Sequence, residues 1–205
     1  MENEIVTLDP AELADRDAYR LLISVIIPRP IAWVSSMGLD GSHNLAPYSF
    51  FNAVSGSPPT VMFSVGQRAG QPKDTLRNIQ ETGEFVVNMA DRILADKMVK
   101  TAGEWGYGVD EFSVADLETI PSAKVKPPRV ALAPIAMEAK TTQIIPIDDS
   151  ANTLILGQVV CFHIRTGLLL PKGTVDAKLF NPVARLGSAD YATLGEILTI
   201  LRPQV

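Results

Sequence analysis

The chain has few of the residues that usually announce chemistry. It carries one cysteine, Cys161, and two histidines, His43 and His163, in 205 residues. A single cysteine excludes an intramolecular disulfide and fits a reducing compartment. With only two histidines beside it, a typical zinc site is out of reach, and no metal is expected. Long apolar runs are missing as well. The longest near the start, Leu21 to Ile27, is interrupted by Ser24 and stopped by Pro28, far short of a membrane span. Clustered basic charge is absent: the formal net charge is -5, and the densest basic stretch, Lys124 to Arg129, is diluted by two prolines. Nucleic-acid phosphates need such clusters, so no nucleic-acid partner is expected. The opening MENEIVTLDP is acidic and polar, unlike a signal or transit peptide. A cytoplasmic protein without a membrane partner is the expectation. No G-x-G-x-x-G follows a strand, and there is neither a P-loop nor a G-x-S-x-G elbow. The acid pairs Asp110-Glu111 and Asp148-Asp149 sit at turns and read as solvated.

What is present describes an ordinary folded chain, 46% hydrophobic and 20% charged, long enough for one domain over residues 1–205. Asp9-Pro10 predicts a helix start, with residues 1–18 as the N-terminal helical segment. Its apolar stripe is Leu13, Tyr19, Leu22 and Ile23, ending at Pro28. "PIAWVSS" predicts a strand, and Asp40-Gly41 a hairpin turn. The chain returns through "HNLAPYSFFNAVS", turns at "SGSPPT" and enters the strand "VMFSV". "KDTLRNIQETG" predicts a helix closed by Gly83, "EFVVNM" a strand and "ADRILADKMVKTAG" a helix. Residues 103–134 are rich in Gly and Pro and read as an excursion over the surface. Two longer strands, Ile135 to Ile147 and Thr153 to Arg165, are joined at Asp148-Asp149-Ser150. Many short strands with few helices point to a closed or nearly closed β-barrel. "TLILGQVVCFHIR" is apolar on both faces, as for a strand between a barrel core and a second buried surface. A homodimer is one source of that surface.

Four stretches are candidates for a site. In "PKDTLRN" a helix amino terminus offers free N–H groups, Lys73 a charge and Thr75 a hydroxyl, as a phosphate site would. Asp74 would cap the helix, and a plain capped surface helix is the competing reading. In His43 to Ser55, Pro47 cannot donate to a ladder and is expected to break pairing. Tyr48, Ser49, Phe50 and Phe51 then suit the edge and face of a planar heteroaromatic ligand, against a bulged strand with a core Phe pair. Ser35 and Ser36 are expected at the same rim as Ser49. His163, with Gly157 and Cys161 on its face, reads as functional or as a hydrogen-bonded barrel residue. "RLGSADYATLGE" places Arg185 and Tyr191 around a glycine turn leading into a helix.

"IPRPIAWVSSMGLDGSHNLAPYSFFNAVSGSPPTVMFSV", "KDTLRNI", "EFVVNM", "GEWGYGVDEF", "PPRVALAPIAMEAK", "LGQVVCFHI" and "RLGSADY" closely resemble, in order, the flavin reductase-like family of FMN-binding proteins. The resemblance implies a mainly β fold, a six-stranded antiparallel split β-barrel with a few flanking helices. It implies a homodimer with FMN near the subunit interface. It sets the isoalloxazine ring and ribityl chain against Asn44 to Phe51, including Asn44, Ala46, Pro47, Tyr48, Ser49 and Phe50. It sets Ser35, Ser36 and Ser49 toward the ribityl-phosphate, and Lys73, Asp74 and Thr75 at the phosphate. Arg29, Trp33 and Val34 on the first barrel strand belong to the same pocket. His163 falls on the nicotinamide side, and Arg185 and Tyr191 belong to the carboxyl-terminal segment, which reaches the flavin from the partner subunit. The family often has two glycines where this chain has Gly187-Ser188. A positive φ at Ser188 would cost on the order of 1 kcal/mol. The activity implied is hydride transfer from NAD(P)H to flavin, with electrons passed to free flavin, a partner protein or another acceptor. A flavin-binding electron carrier without nicotinamide chemistry is the alternative, and a pocket for a phosphorylated pyridoxal or haem a third.

Overall fold

The computed structural model describes residues 4–203, so residues 1–3 of the expected N-terminal segment lie outside the described residues. Asp9 does cap a turn, accepting from the Ala11 N–H at 2.9 Å, but the turn is a single 3-10 turn, Pro10–Glu12. Leu13 and Ala14 are extended, and the chain restarts as α1 (Asp15–Val25). The expected single helix is therefore two elements. Asp15 and Asp17 favour the restart, because acids stabilise the first turn of a helix.

The barrel strands are β1 (Ala32–Met37), β2 (His43–Tyr48), β3 (Phe51–Gly56), β4 (Pro59–Val65), β5 (Glu84–Met89), β6 (Ile135–Pro146) and β7 (Thr153–Ile164). They form one antiparallel sheet in the order β2-β1-β5-β6-β7-β4-β3. The two edge strands, β2 and β3, are consecutive in the chain and separated only by Ser49-Phe50. One interrupted strand thus serves both edges, closing the sheet into a split barrel. Counting it once gives the six strands expected. Counting its halves gives seven.

Pro47 does not break the ladder, contrary to expectation; it pairs opposite Trp33. The Leu45 N–H points away from β1, to the Glu111 carboxylate, and Pro47 shares its parity. The N–H that Pro47 lacks is one the ladder never used, which is how an edge strand tolerates proline. The interruption comes two residues later.

Core residues fill two spaces. Inside the barrel lie Val34, Tyr48, Phe63, Phe85, Val87 and Ile155. Outside β1 and β2, Trp33 and Leu45 pack with Leu94, Met98, Phe112 and Val130. Residues 103–134 supply much of this second core, so they are more than a surface excursion. Within them Asp110 caps α4 (Glu111–Val114), which sinks Phe112 against the sheet. The helix expected over 90–103 shrinks to α3 (Ala95–Lys100), because the Asp91 carboxylate takes the N–H groups of Ile93 and Leu94 in a turn. Among the described residues no helix follows Tyr191; Tyr191-Ala192 instead pairs with Ala184-Arg185, which pairs with Arg29-Pro30. Among the described residues no helix is long and apolar enough to cross a membrane.

A β-bulge at Val160 lets Glu138 oppose Cys161 while Ala139 opposes Val159. It reverses the side-chain parity, so Gly157 points into the barrel while Cys161 and His163 point out. The expectation that all three share a face fails for that reason. A Cβ at Gly157 would stand 2.4 Å from Cζ of Phe85. Gly157→Ala is therefore expected to destabilise the protein by about 1–3 kcal/mol through overpacking. Urea unfolding of the two proteins measures it.

Candidate functional site

The interruption at Ser49-Phe50 is held open by Arg29, itself 5% exposed. Its guanidinium donates to the carbonyls of Ile23, Ile26 and Leu186, and its Nε to Ser49 Oγ at 3.3 Å. One side chain therefore joins α1, the carboxyl-terminal segment and the strand break. Beside it opens a cavity of about 370 Å³ lined by Tyr19, Arg29, Ser49, Lys73, Arg185 and Tyr191, among others. Three of its walls carry cations, and no carboxylate lines it. Lys73 makes no ion pair among the described residues. Arg185 sits over the Tyr191 ring and donates to Tyr191 Oη and the Ser188 carbonyl. Ser188 does adopt a positive φ, +51°. Such a cavity suits a phosphate.

A second cavity, about 160 Å³, shares Pro47, Lys73 and Ala102 with the first. Asn44, Ala46, Tyr48, Asp74 and Glu111 are on its walls. Helix α2 (Asp74–Thr82) places Asp74 and ends at Gly83 in the left-handed conformation, as expected. Its N-cap position is Lys73, without a side-chain cap; Asp74 is the first helical residue and does not cap it. Thr75 Oγ1 accepts from Asn44 Nδ2 and Tyr48 Oη, both at 2.8 Å, locking the start of α2 to β2. Burial pushes the Tyr48 phenol up. Asp74 Oδ1 is buried with no hydrogen-bond partner among the described residues.

Of the residues expected at the site, Arg29, Asn44, Ala46, Pro47, Tyr48, Ser49, Lys73, Asp74, Arg185 and Tyr191 line these two cavities. Thr75 and Ser36 stand behind the wall; Ser36 Oγ accepts from Asn44 and Asn78. Trp33, Val34 and Ser35 are fully buried elsewhere. Trp33 Nε1 donates to Thr101, Val34 lies in the barrel core, and Ser35 donates to the Pro128 carbonyl at 2.6 Å. Ser35 and Ser36 pair with Leu45 and Asn44, at the far end of the hairpin from Ser49. The single rim expected for all three is two rims, because β2 runs its full length between them. Phe50 faces a third, apolar cavity of about 480 Å³ with Leu22, Ile26, Met62 and Leu154, which also touches Arg29 and Ser49.

His163 lines neither cation-walled nor Asn44 cavity. Its Nε2 meets Glu138 Oε1 at 2.5 Å, and Cys161 Sγ lies 3.5 Å away. Burial pushes the Glu138 carboxyl up, but the Ala123 and Lys124 N–H groups and His163 outweigh it, and the net shift is downward.

Glu111 was not anticipated. Read as a solvated turn acid, it is 6% exposed. Its Oε2 accepts the Leu45 N–H at 2.9 Å, an edge donor the sheet leaves over. The available signal was Asp110 as a helix cap two residues before an apolar Phe112, which marks a helix turn pressed onto a core.

Residues 24–176 match the family model described as "Flavin reductase like domain". Nitrilotriacetate monooxygenase component B from Bacillus cereus is 38% identical, with a TM-score of 0.93 over 97% of this chain and 100% of that one. The 2-nitrobenzoate 2-nitroreductase of Pseudomonas fluorescens is 32% identical, with a TM-score of 0.89 over 97% and 96%. A split barrel domain protein from Shewanella frigidimarina, 16% identical, has a TM-score of 0.85 over 95% and 96% and shares the fold.

Burial pushes the Glu111 carboxyl up to about 7, against the opposing Leu45 N–H. The folded protein then binds a proton that the unfolded chain releases near its ordinary value. Stability contributed by this site falls as pH rises toward 7 and is flat above it. Glu111→Gln keeps the acceptor without the charge. In flavin-free protein its stability relative to the native chain is expected to rise between about pH 4.5 and 7, by up to roughly 3 kcal/mol. Urea unfolding at several pH values measures this, and a constant difference across the window would contradict it.

Proposed function

The chain belongs to the flavin reductase-like family, and from that premise we propose that it is an FMN-dependent oxidoreductase using NAD(P)H. The carrying observation is the carboxylate-free cavity walled by Arg29, Lys73 and Arg185 at the strand break. One phosphate group matches its charge and its donors, which favours FMN as the flavin. Asn44, Ala46, Pro47 and Tyr48 line the adjoining cavity, where the ring system belongs. When bound, the flavin supplies the hydride and electron chemistry, and the protein supplies position and charge.

Each residue then has a physical task. Lys73 and Arg185 neutralise the phosphate, and Ser49 offers it a hydroxyl. Arg29 is spent largely on carbonyls, so it holds the break in shape and lends charge at a distance. Thr75, Asn44 and Tyr48 fix the wall through their shared hydrogen bonds. Ser36 and Asn78 brace that wall from behind. No side chain need act as catalytic base, consistent with a sequence that carries no triad.

The likeness to a monooxygenase component and a nitroreductase supports a reductase over a passive carrier. A homodimer accounts for apolar side chains that one chain leaves exposed, among them Val25, Ile26, Val54, Ile145 and Phe162. His163, which lines neither cavity, is carried on the nicotinamide side by the family resemblance.

Purified protein with FMN is expected to oxidise NADH or NADPH, followed by loss of nicotinamide absorbance. Protein that holds FMN and oxidises neither would be a flavin carrier instead. Lys73→Ala is expected to weaken FMN binding about 10- to 100-fold while leaving riboflavin binding nearly unchanged, since a charge-assisted hydrogen bond contributes ~1.5–3 kcal/mol. Equal losses for the two ligands, measured by flavin fluorescence, would move the phosphate away from Lys73.

A further inference from the structure

Away from the strand break, three side chains that can ligate a metal come together: Glu138 on β6, and Cys161 and His163 on β7. Their ligand atoms all lie within 4.8 Å of one another. The β-bulge at Val160 makes this cluster, because it sets Cys161 opposite Glu138 and turns His163 to the same outer face. Opposite His163 stands Ala136, whose small side chain leaves the imidazole room to reach Glu138. A count of cysteine and histidine alone excludes a typical zinc site. The strand register adds a carboxylate as third ligand.

The contacts are those of a shared cation rather than of a proton relay. A relay of thiol, imidazole and acid uses both ring nitrogens, one for each partner. Here Cys161 Sγ and Glu138 Oε1 approach the same nitrogen, Nε2, at 3.5 and 2.5 Å. A ring nitrogen and a carboxylate oxygen that close need a positive centre between them, a proton or a metal ion. Around tetrahedral zinc an imidazole nitrogen and a thiolate sulfur stand about 3.5 Å apart, and nitrogen and oxygen about 3.3 Å. The sulfur is thus already in place, and only the Nε2 to Oε1 separation must open. Movement falls to the His163 ring, which is 24% exposed, since Glu138 is fully buried. The Ala123 and Lys124 N–H groups hold the two Glu138 oxygens at 2.6 and 2.5 Å, as outer-shell donors hold a ligating carboxylate. Oε1 keeps a second lone pair for an ion.

We propose that Glu138, Cys161 and His163 hold a divalent ion of the zinc class through Oε1, Sγ and Nε2, with a fourth position open to water. The thiolate and carboxylate charges balance those of the ion. A sulfur and a nitrogen ligand beside a single carboxylate disfavour Mg2+ and Ca2+, which take oxygen shells. His163 also lines a surface cavity of about 600 Å³, which gives an ion an approach from solvent. The site is independent of the flavin reading, because His163 lines neither cavity assigned to flavin. A bound ion occupies Nε2, so the filled site leaves that nitrogen nothing to offer a nicotinamide.

Full-length protein without a histidine tag is titrated with Co2+, and each spectrum is taken as a difference from the same sample before addition, so that bound flavin cancels. Cys161 is the one cysteine in the sequence, so a sulfur-to-cobalt charge-transfer band can come from it alone. One equivalent per chain is expected to raise that band together with the visible bands of tetrahedral cobalt, and Zn2+ to abolish both. Cys161→Ser is expected to lose the charge-transfer band, and His163→Gln to weaken Co2+ binding by about tenfold or more. X-ray absorption of the zinc-loaded native chain needs no variant: one sulfur at about 2.3 Å with imidazole scattering is expected. Native protein without the charge-transfer band, or a zinc shell of oxygens alone, would overturn the site. So would native affinity in His163→Gln, the mark of an adventitious ion on an exposed thiol.

Discussion

A barrel of antiparallel strands closes only if some segment belongs to both edges of its sheet. Here that segment is 43–56, and it cannot lie flat in both ladders at once. Ser49-Phe50 is where it leaves one ladder and enters the other. Backbone groups at such a step need partners from outside the sheet. The step also opens the wall beside it. Closure and pocket are thus two results of one constraint, and Arg29 stabilises both by collecting carbonyls from α1 and from Leu186 around Ser49.

The pocket's other walls depend on that placement. Helix α2 follows the barrel strand β4 and is tied to β2 through Thr75, so Lys73 and Asp74 are delivered to the mouth of the step. The second core, built around Trp33, Leu45 and Phe112, carries residues 103–134 onto the outer face of β1 and β2. Glu111 arrives with them and satisfies an edge N–H of β2. Charge is sorted along the way. Cations gather where Arg29, Lys73 and Arg185 converge, while the two buried acids face the next cavity.

Local signals carried much of this into the sequence. Asp40-Gly41 and Gly83 mark their turns because a left-handed backbone selects glycine, and both adopt positive φ. The long alternating strands β6 and β7 are legible within one residue of their ends. What stayed hidden is set by pairing across the chain. Nothing near Gly157 announces a bulge at Val160, so the faces of Cys161 and His163 could not be assigned from alternation alone. Ser35 and Ser49 look like neighbours until the register shows a full strand between them. Glu111 resembles any turn acid, because its burial comes from Phe112 and Leu45, far apart in sequence. The family resemblance outran these local signals for the closure of the barrel, since it encodes pairings that no short stretch contains.

The central claim is that the step in the interrupted strand and the cations around it form the seat of a flavin phosphate. A crystal structure of the protein with FMN tests it most directly. The account predicts the phosphate among Lys73, Arg185 and Ser49, with the ring system along Asn44 to Tyr48. FMN bound elsewhere, with those side chains closing the cavity on themselves, would contradict it.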